Sequence, residues 1–184
     1  LKNWSEVREE LTRLRDLPRF EKMTETAAIL TEQLEAHGIT PIVVGGLSVE
    51  IYTLQAYTTQ DIDFVMDGRH IADEILTAIG FIRKGKDWWH PDLLVSVEIP
   101  DHILAGDPSK ITTVPVGMKK INVIGIEDLI LDRLRAAVHW RSQEDREWGY
   151  RLLQLHHDQL DLTYISKQLQ TKTEEKEWTT WINE

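Results

Sequence analysis

No cysteine occurs among the 184 residues. That absence removes a disulfide framework, a thiolate zinc site and a cysteine nucleophile together, so any metal must be held by oxygen or imidazole ligands. Long apolar runs are missing too: no window approaches the roughly 18 apolar residues that a membrane helix requires. The opening Leu1-Lys2-Asn3-Trp4-Ser5-Glu6 has no apolar stretch after a basic one, and a cytoplasmic protein is the expectation. Positive charge is scarce. Twenty-one Lys and Arg stand against 31 Asp and Glu, for a formal net charge of -10, which argues against a broad binder of nucleic-acid backbone because such proteins present a basic face. Local groups such as Lys119-Lys120, the Arg83-Lys84-Gly85-Lys86 turn, and Arg133, Arg135 and Arg141 suffice for one triphosphate or one RNA end, or else are solvated surface charges. Internal repeats and low-complexity linkers are also absent.

What is present is a balanced globular composition, 41% apolar and 28% charged, which indicates neither disorder nor a fibrous repeat. The length suits one compact unit with an appendage. The division expected is an N-terminal helix over 1–19, a central unit over 20–124 with a small mixed sheet flanked by helices, and a helical C-terminal segment over 125–184. Ser5 is read as the cap of a helix over 6–15 that Pro18 closes. Met23, Ala27, Leu30 and Leu34 recur at helical spacing within a second helix over 21–37, which Gly38 stops. Ile42 to Val44 reads as a strand ended by Gly45-Gly46, with a short helix over 47–55.

Asp61 to Met66 alternates carboxylates with Ile62 and Phe64 at the period of two that marks a strand, which sends both aspartates to one face. A helix over Ile71 to Ile79 follows. Residues 81–83 and 93–99 then read as a strand pair around a Gly85-Lys86-Asp87 turn, with Val95, Val97 and Ile99 on one face and Ser96 and Glu98 on the other. A last strand is read over 121–124. Helices then follow Gly125, Ser142 and Asp161, with Trp148, Leu152 and Leu155 facing inward in the second of them. Trp178 and Trp181 mark the charged tail as packed on one face.

The order of three segments carries the chemistry: Val43-Val44-Gly45-Gly46-Leu47-Ser48, then Thr59-Gln60-Asp61-Ile62-Asp63-Phe64, then Val97-Glu98-Ile99. Glycines between a strand and a helix let backbone N–H groups approach phosphate, where the helix amino end adds partial positive charge. Ser48 can add a hydroxyl contact. Aspartates at i and i+2 project in parallel, and a carboxylate on a neighbouring strand completes a hard oxygen site suited to magnesium. Two-metal phosphoryl or nucleotidyl transfer needs such an arrangement.

This pattern resembles the nucleotidyltransferase superfamily of the polymerase-beta-like fold, with a glycine pair, a short helix, Asp-x-Asp and a later lone carboxylate. The wording Gly-Gly-Leu-Ser-Val-Glu-Ile-Tyr and Thr-x-Asp-Ile-Asp looks most like its minimal and abortive-infection toxin-type branches. The resemblance implies an α/β (α+β) nucleotidyltransferase fold over about 21–155. It also implies that Asp61, Asp63 and Glu98 are catalytic and hold two magnesium ions, and that Gly45, Gly46 and Ser48 hold a nucleoside triphosphate. Arg133 and Asp145 fall where that branch adds a basic residue and an aspartate to the nucleotide site. The implied acceptor is a hydroxyl of tRNA, protein or a small molecule. Two rivals stand beside this reading: a catalytically silent module that holds a nucleotide or partner, and a toxin-antitoxin component whose site is silenced by an antitoxin-like protein.

Several of these residues have structural alternatives. Asp145 fits N3 of a capping arrangement begun by Ser142, its carboxylate turned back to the Ser142 amide. Arg133 can pair with Glu127 or Asp128 on its own helix. His156-His157-Asp158 either marks a metal site or stabilises a helix carboxyl end. Trp88-Trp89 either stacks a base or packs in the core or an interface, and His90 and His102 read as loop residues.

Overall fold

The structure is a computed structural model and describes residues 2–184. One mixed sheet of seven strands runs through the molecule in the order β3-β4-β5-β2-β1-β7-β6. The chain enters through two helices, α1 (Trp4–Arg13) and α2 (Arg19–Glu35). Asn3, rather than Ser5, caps α1 in a reciprocal box with Glu6, so the helix starts earlier than Ser5 implied. Strand β1 (Ile42–Val44) leads directly into α3 (Gly45–Tyr52). The glycine pair therefore forms the first turn of the helix rather than a loop before it.

Strand β2 (Asp61–Val65) is followed by α4 (Arg69–Ala78) and by β3 (Ile82–Lys84), β4 (Asp87–His90) and β5 (Val95–Glu98). The strands read as a pair over 81–83 and 93–99 are not partners. Between them lies β4, antiparallel to both, and Trp88-Trp89 belongs to that strand. Trp88 is fully buried, its Nε1 donates to Asp73 Oδ1 at 2.7 Å, and the Arg69 and Arg83 guanidinium groups lie 4.8 and 4.9 Å from its ring centroid. It packs the core and offers no face to a base. His90 is also buried in β4, with its ring nitrogen accepting from the Leu93 amide, whereas His102 is an exposed loop residue.

A 3-10 turn, Pro108–Lys110, precedes β6 (Thr112–Val116) and β7 (Lys119–Val123). β6 pairs only with β7 and forms one edge of the sheet, where Pro115 is tolerated because no ladder bond is needed on its outer side. Four helices complete the chain: α5 (Ile126–His139), α6 (Gln143–His156), α7 (Leu162–Gln168) and α8 (Lys172–Asn183). Trp178 and Trp181 are buried as read from the tail, but Leu155 is exposed. It lies off the α6 stripe carried by Leu152 and Leu153. Among the described residues no helix is long and apolar enough to cross a membrane.

The sheet positions the site because its centre reverses direction. β1 runs antiparallel to β2, while β2 and β5 run parallel with Asp61 opposite Ser96 and Asp63 opposite Glu98. Ile62 and Phe64 are fully buried and Val95 and Val97 nearly so. The alternate residues Asp61, Asp63 and Glu98 share the opposite, partly open face.

Candidate active site

The site is built where the amino end of α3 meets the face of β2 and β5. Gly45 has φ +62°, and a Cβ there would collide with Asp63 Oδ2. Glycine is thus required twice, for the left-handed backbone and for the close approach of the aspartate. A Cβ on Gly46 would lie 3.0 Å from Tyr57 Cε1 and 3.1 Å from the Thr59 side chain. No side chain caps α3, so its first-turn N–H groups lack the partner a Ser or Asp would supply and are suited to an anion. Ser48 does not extend this surface. It is fully buried, and its hydroxyl donates to the Gly45 carbonyl at 2.6 Å.

Asp63 and Glu98 line a cavity of about 380 Å³ together with Gly45, Asp132, Arg133 and an apolar wall that includes Leu104. Asp63 Oδ1 is buried without a hydrogen-bond partner. Burial first, then a hydrogen bond to Glu98 and the charges of Glu98 and Asp61, outweigh the opposing charge of Arg133 and push the Asp63 carboxyl up to about 7. Asp61 begins β2 on the same face, and its backbone N–H donates to Thr59 Oγ1 at 3.2 Å. Thr59 is fixed in turn by Arg19, whose Nη1 donates to the Thr59 carbonyl and whose Nη2 meets the buried Glu50, both at 2.5 Å.

Arg133 reaches the cavity from α5. Its guanidinium pairs with Asp132 at 2.6 Å and Asp145 at 2.8 Å, not with Glu127 or Asp128. Glu127 accepts from the Asp161 amide, and Asp128 accepts from the Asp107 amide and the Tyr164 hydroxyl. Asp145 also resolves its two readings. Its amide donates to Ser142 Oγ at 3.2 Å, while its carboxylate turns to Arg133 instead of returning to the Ser142 amide. His156 Nε2 lies 2.7 Å from the Tyr52 carbonyl, and His157 Nδ1 lies 3.5 Å from its exposed neighbour Asp158.

The donor set fits a hard divalent cation in its chemistry: oxygen only, a buried carboxylate oxygen with no partner, and burial together with neighbouring carboxylates that raises the Asp63 carboxyl. As they stand, the side chains do not form a closed cage. Among the described residues no three His, Asp or Glu groups converge as metal ligands. Asp132 and Leu104 also line the cavity, and Tyr57 packs on Gly46 beside it. No motif in the sequence marks them, because each takes its place only through the packing of α5 and of the segments before β2 and β6.

No family model matches the chain, and no curated protein matches it. A solved structure of an antigenic nucleotidyltransferase-like protein from Paracoccidioides brasiliensis superposes with a TM-score of 0.65 over 95% of this chain and 88% of that one, at 12% identity. The antibiotic-resistance factor ANT(2'')-Ia shows a TM-score of 0.47 over 84% of this chain and 88% of its own, at 13% identity. The second likeness is too slight to argue from. The first shows the fold: this chain is nucleotidyltransferase-like in its mixed sheet and flanking helices.

Proposed function

We propose that the protein is a magnesium-dependent nucleotidyltransferase that moves a nucleoside monophosphate from a nucleoside triphosphate to an acceptor hydroxyl of RNA, protein or a small molecule. The observation that carries this reading is the in-register pair Asp63 and Glu98 on adjacent parallel strands, set against the uncapped amino end of α3. The fold likeness supports it. In this reading Asp61, Asp63 and Glu98 hold magnesium, the first-turn amides of α3 hold the triphosphate, and Arg133, oriented by Asp132 and Asp145, faces its phosphates.

Magnesium would neutralise the carboxylates and polarise the phosphate under attack. Glu98 accepts the proton of the acceptor hydroxyl. The acceptor oxygen bonds to the α-phosphorus, the bridging α–β P–O bond breaks, and pyrophosphate leaves.

The test is incubation of the protein with each α-labelled nucleoside triphosphate, magnesium and cell lysate. The label is expected to pass to one acceptor class, and to do so neither with a chelator present nor from γ-labelled nucleotide. A module that holds a nucleotide without turnover is the second reading, favoured by the open arrangement of the three carboxylates. Magnesium-dependent nucleotide binding with no transfer to any lysate component would select it.

A further inference from the structure

We propose that Tyr57 touches the polyphosphate of the bound nucleotide through its hydroxyl, an inference that rests on the site reading above. Tyr57 lies in the linker between α3 and β2, two residues before Thr59. That linker is tied down from below, because Arg19 binds the Thr59 carbonyl and the fully buried Glu50 at once. From above, the Tyr57 ring meets Trp148 of α6 edge-on, with centroids 5.1 Å apart and planes at 88°. The Arg151 guanidinium lies 4.7 Å from the same Trp148 ring centroid. Between these supports the ring packs on Gly46, where a side chain would leave only 3.0 Å to Tyr57 Cε1. It therefore rests on the second residue of α3, within the turn whose amides have no side-chain cap.

The ring is held on these sides, yet its hydroxyl forms none of the hydrogen bonds made among the described residues. The ring atom that meets Gly46 is Cε1, next to the hydroxyl-bearing carbon, so the polar end lies beside the start of α3. Burial and the charges of Glu144, Asp145 and Asp63 raise the phenol above its ordinary value, against the opposing charge of Arg133. Three of those four charged groups belong to the site, and Glu144 adjoins Asp145. A phenol there offers a donor without adding charge, and a bond from O–H to an ionised phosphate oxygen is of the stronger, charge-assisted kind. The structure thus supplies a fixed ring and a free donor beside an anion-ready helix end.

Tyr57→Phe removes the hydroxyl and keeps the ring against Trp148 and Gly46. Calorimetric titration of parent and variant with ATP and with inorganic tripolyphosphate, both with magnesium, reads the effect, and thermal melts check the fold. Expected are an unchanged melting temperature and a loss of affinity of about 10- to 100-fold for both ligands, the range for one hydrogen bond to a charged group. Unchanged affinity of the variant, beside a parent that binds, overturns the role of Tyr57 alone. Weakening toward ATP but not tripolyphosphate, or a parent that binds only ATP, overturns the polyphosphate assignment. A parent that binds neither ligand overturns this inference together with the site reading beneath it.

Discussion

At Asp63 a carboxylate is pressed between the Gly45 backbone and the Glu98 side chain, with one oxygen buried and unpartnered. In the absence of a cation this arrangement opposes folding, because burial and like charge both penalise the ionised form. Asp63→Asn keeps the size and one acceptor oxygen while removing the charge. The expected outcome in chelator near pH 8 is a gain in stability of about 1–2 kcal/mol, seen as a higher melting temperature. Magnesium should raise the melting temperature of the parent but not of the variant, and nucleotidyl transfer should be lost. A variant that melts below the parent in chelator would mean that Asp63 is a structural aspartate. Asp145 illustrates that opposite case, since its carboxylate is already satisfied by Arg133 at 2.8 Å.

Between elements, α6 and α8 approach closely at Gly149 of α6. A Cβ there would collide with the Trp181 ring of α8 and come within 3.0 Å of Arg133 Cβ on α5. Alanine would favour an isolated helix by about 1 kcal/mol over glycine, but forcing a methyl into packed surroundings costs about 1–3 kcal/mol. Because Trp181 is nearly fully buried and has little room to retreat, the packing cost wins. Gly149→Ala is expected to lower stability by about 1 kcal/mol in denaturant titrations. A stabilised variant would show that α8 moves away freely.

Elements of this kind also mark what the sequence could reveal. β2 and the Asp63–Glu98 face were legible because their buried neighbours alternate with a period of two. α5 was legible from helical spacing, and the packing of the tail from the two tryptophans it carries among charged residues. β6 was not, since its residues are exposed or half-buried and it contains Pro115. β4 was missed because Trp88-Trp89-His90 has no polar alternation, both Trp88 and His90 being buried. In the site, the glycine pair and carboxylates were readable as a local pattern. The Arg133–Asp145 pairing and the seat of Tyr57 depend on contacts between elements distant in sequence, which no spacing rule encodes.

Across the whole molecule, the acidic chain ends in a helix that is fastened to α5 by buried contacts, and Glu174 is the centre of one of them. Its side chain is fully buried at the start of α8. It accepts from Arg135 at 3.2 Å and from Thr171 Oγ1 at 3.1 Å, with His139 Nε2 at 3.3 Å, so α8 is fastened to α5 and thereby to the helix that carries Arg133. Burial alone would raise this carboxyl, but hydrogen bonds to His139, Arg135 and Thr171 and the charge of Arg135 prevail and hold it below its ordinary value. The sign follows from linkage: a carboxylate more acidic in the folded than in the unfolded chain stabilises the fold above its unfolded value of about 4.3, and loses that contribution as pH falls through its lower folded value. Glu174→Gln should therefore cost about 2 kcal/mol at neutral pH, as a buried partner of charged groups is removed. As pH falls below about 4.3 and through the lower folded value, the gap between variant and parent should narrow, because protonation progressively removes the parent's charge. Chemical denaturation of both proteins at pH 7 and at pH 3–4 measures this. A gap that stays constant across that range would show that Glu174 acts through shape alone and that its charge does not fasten α8.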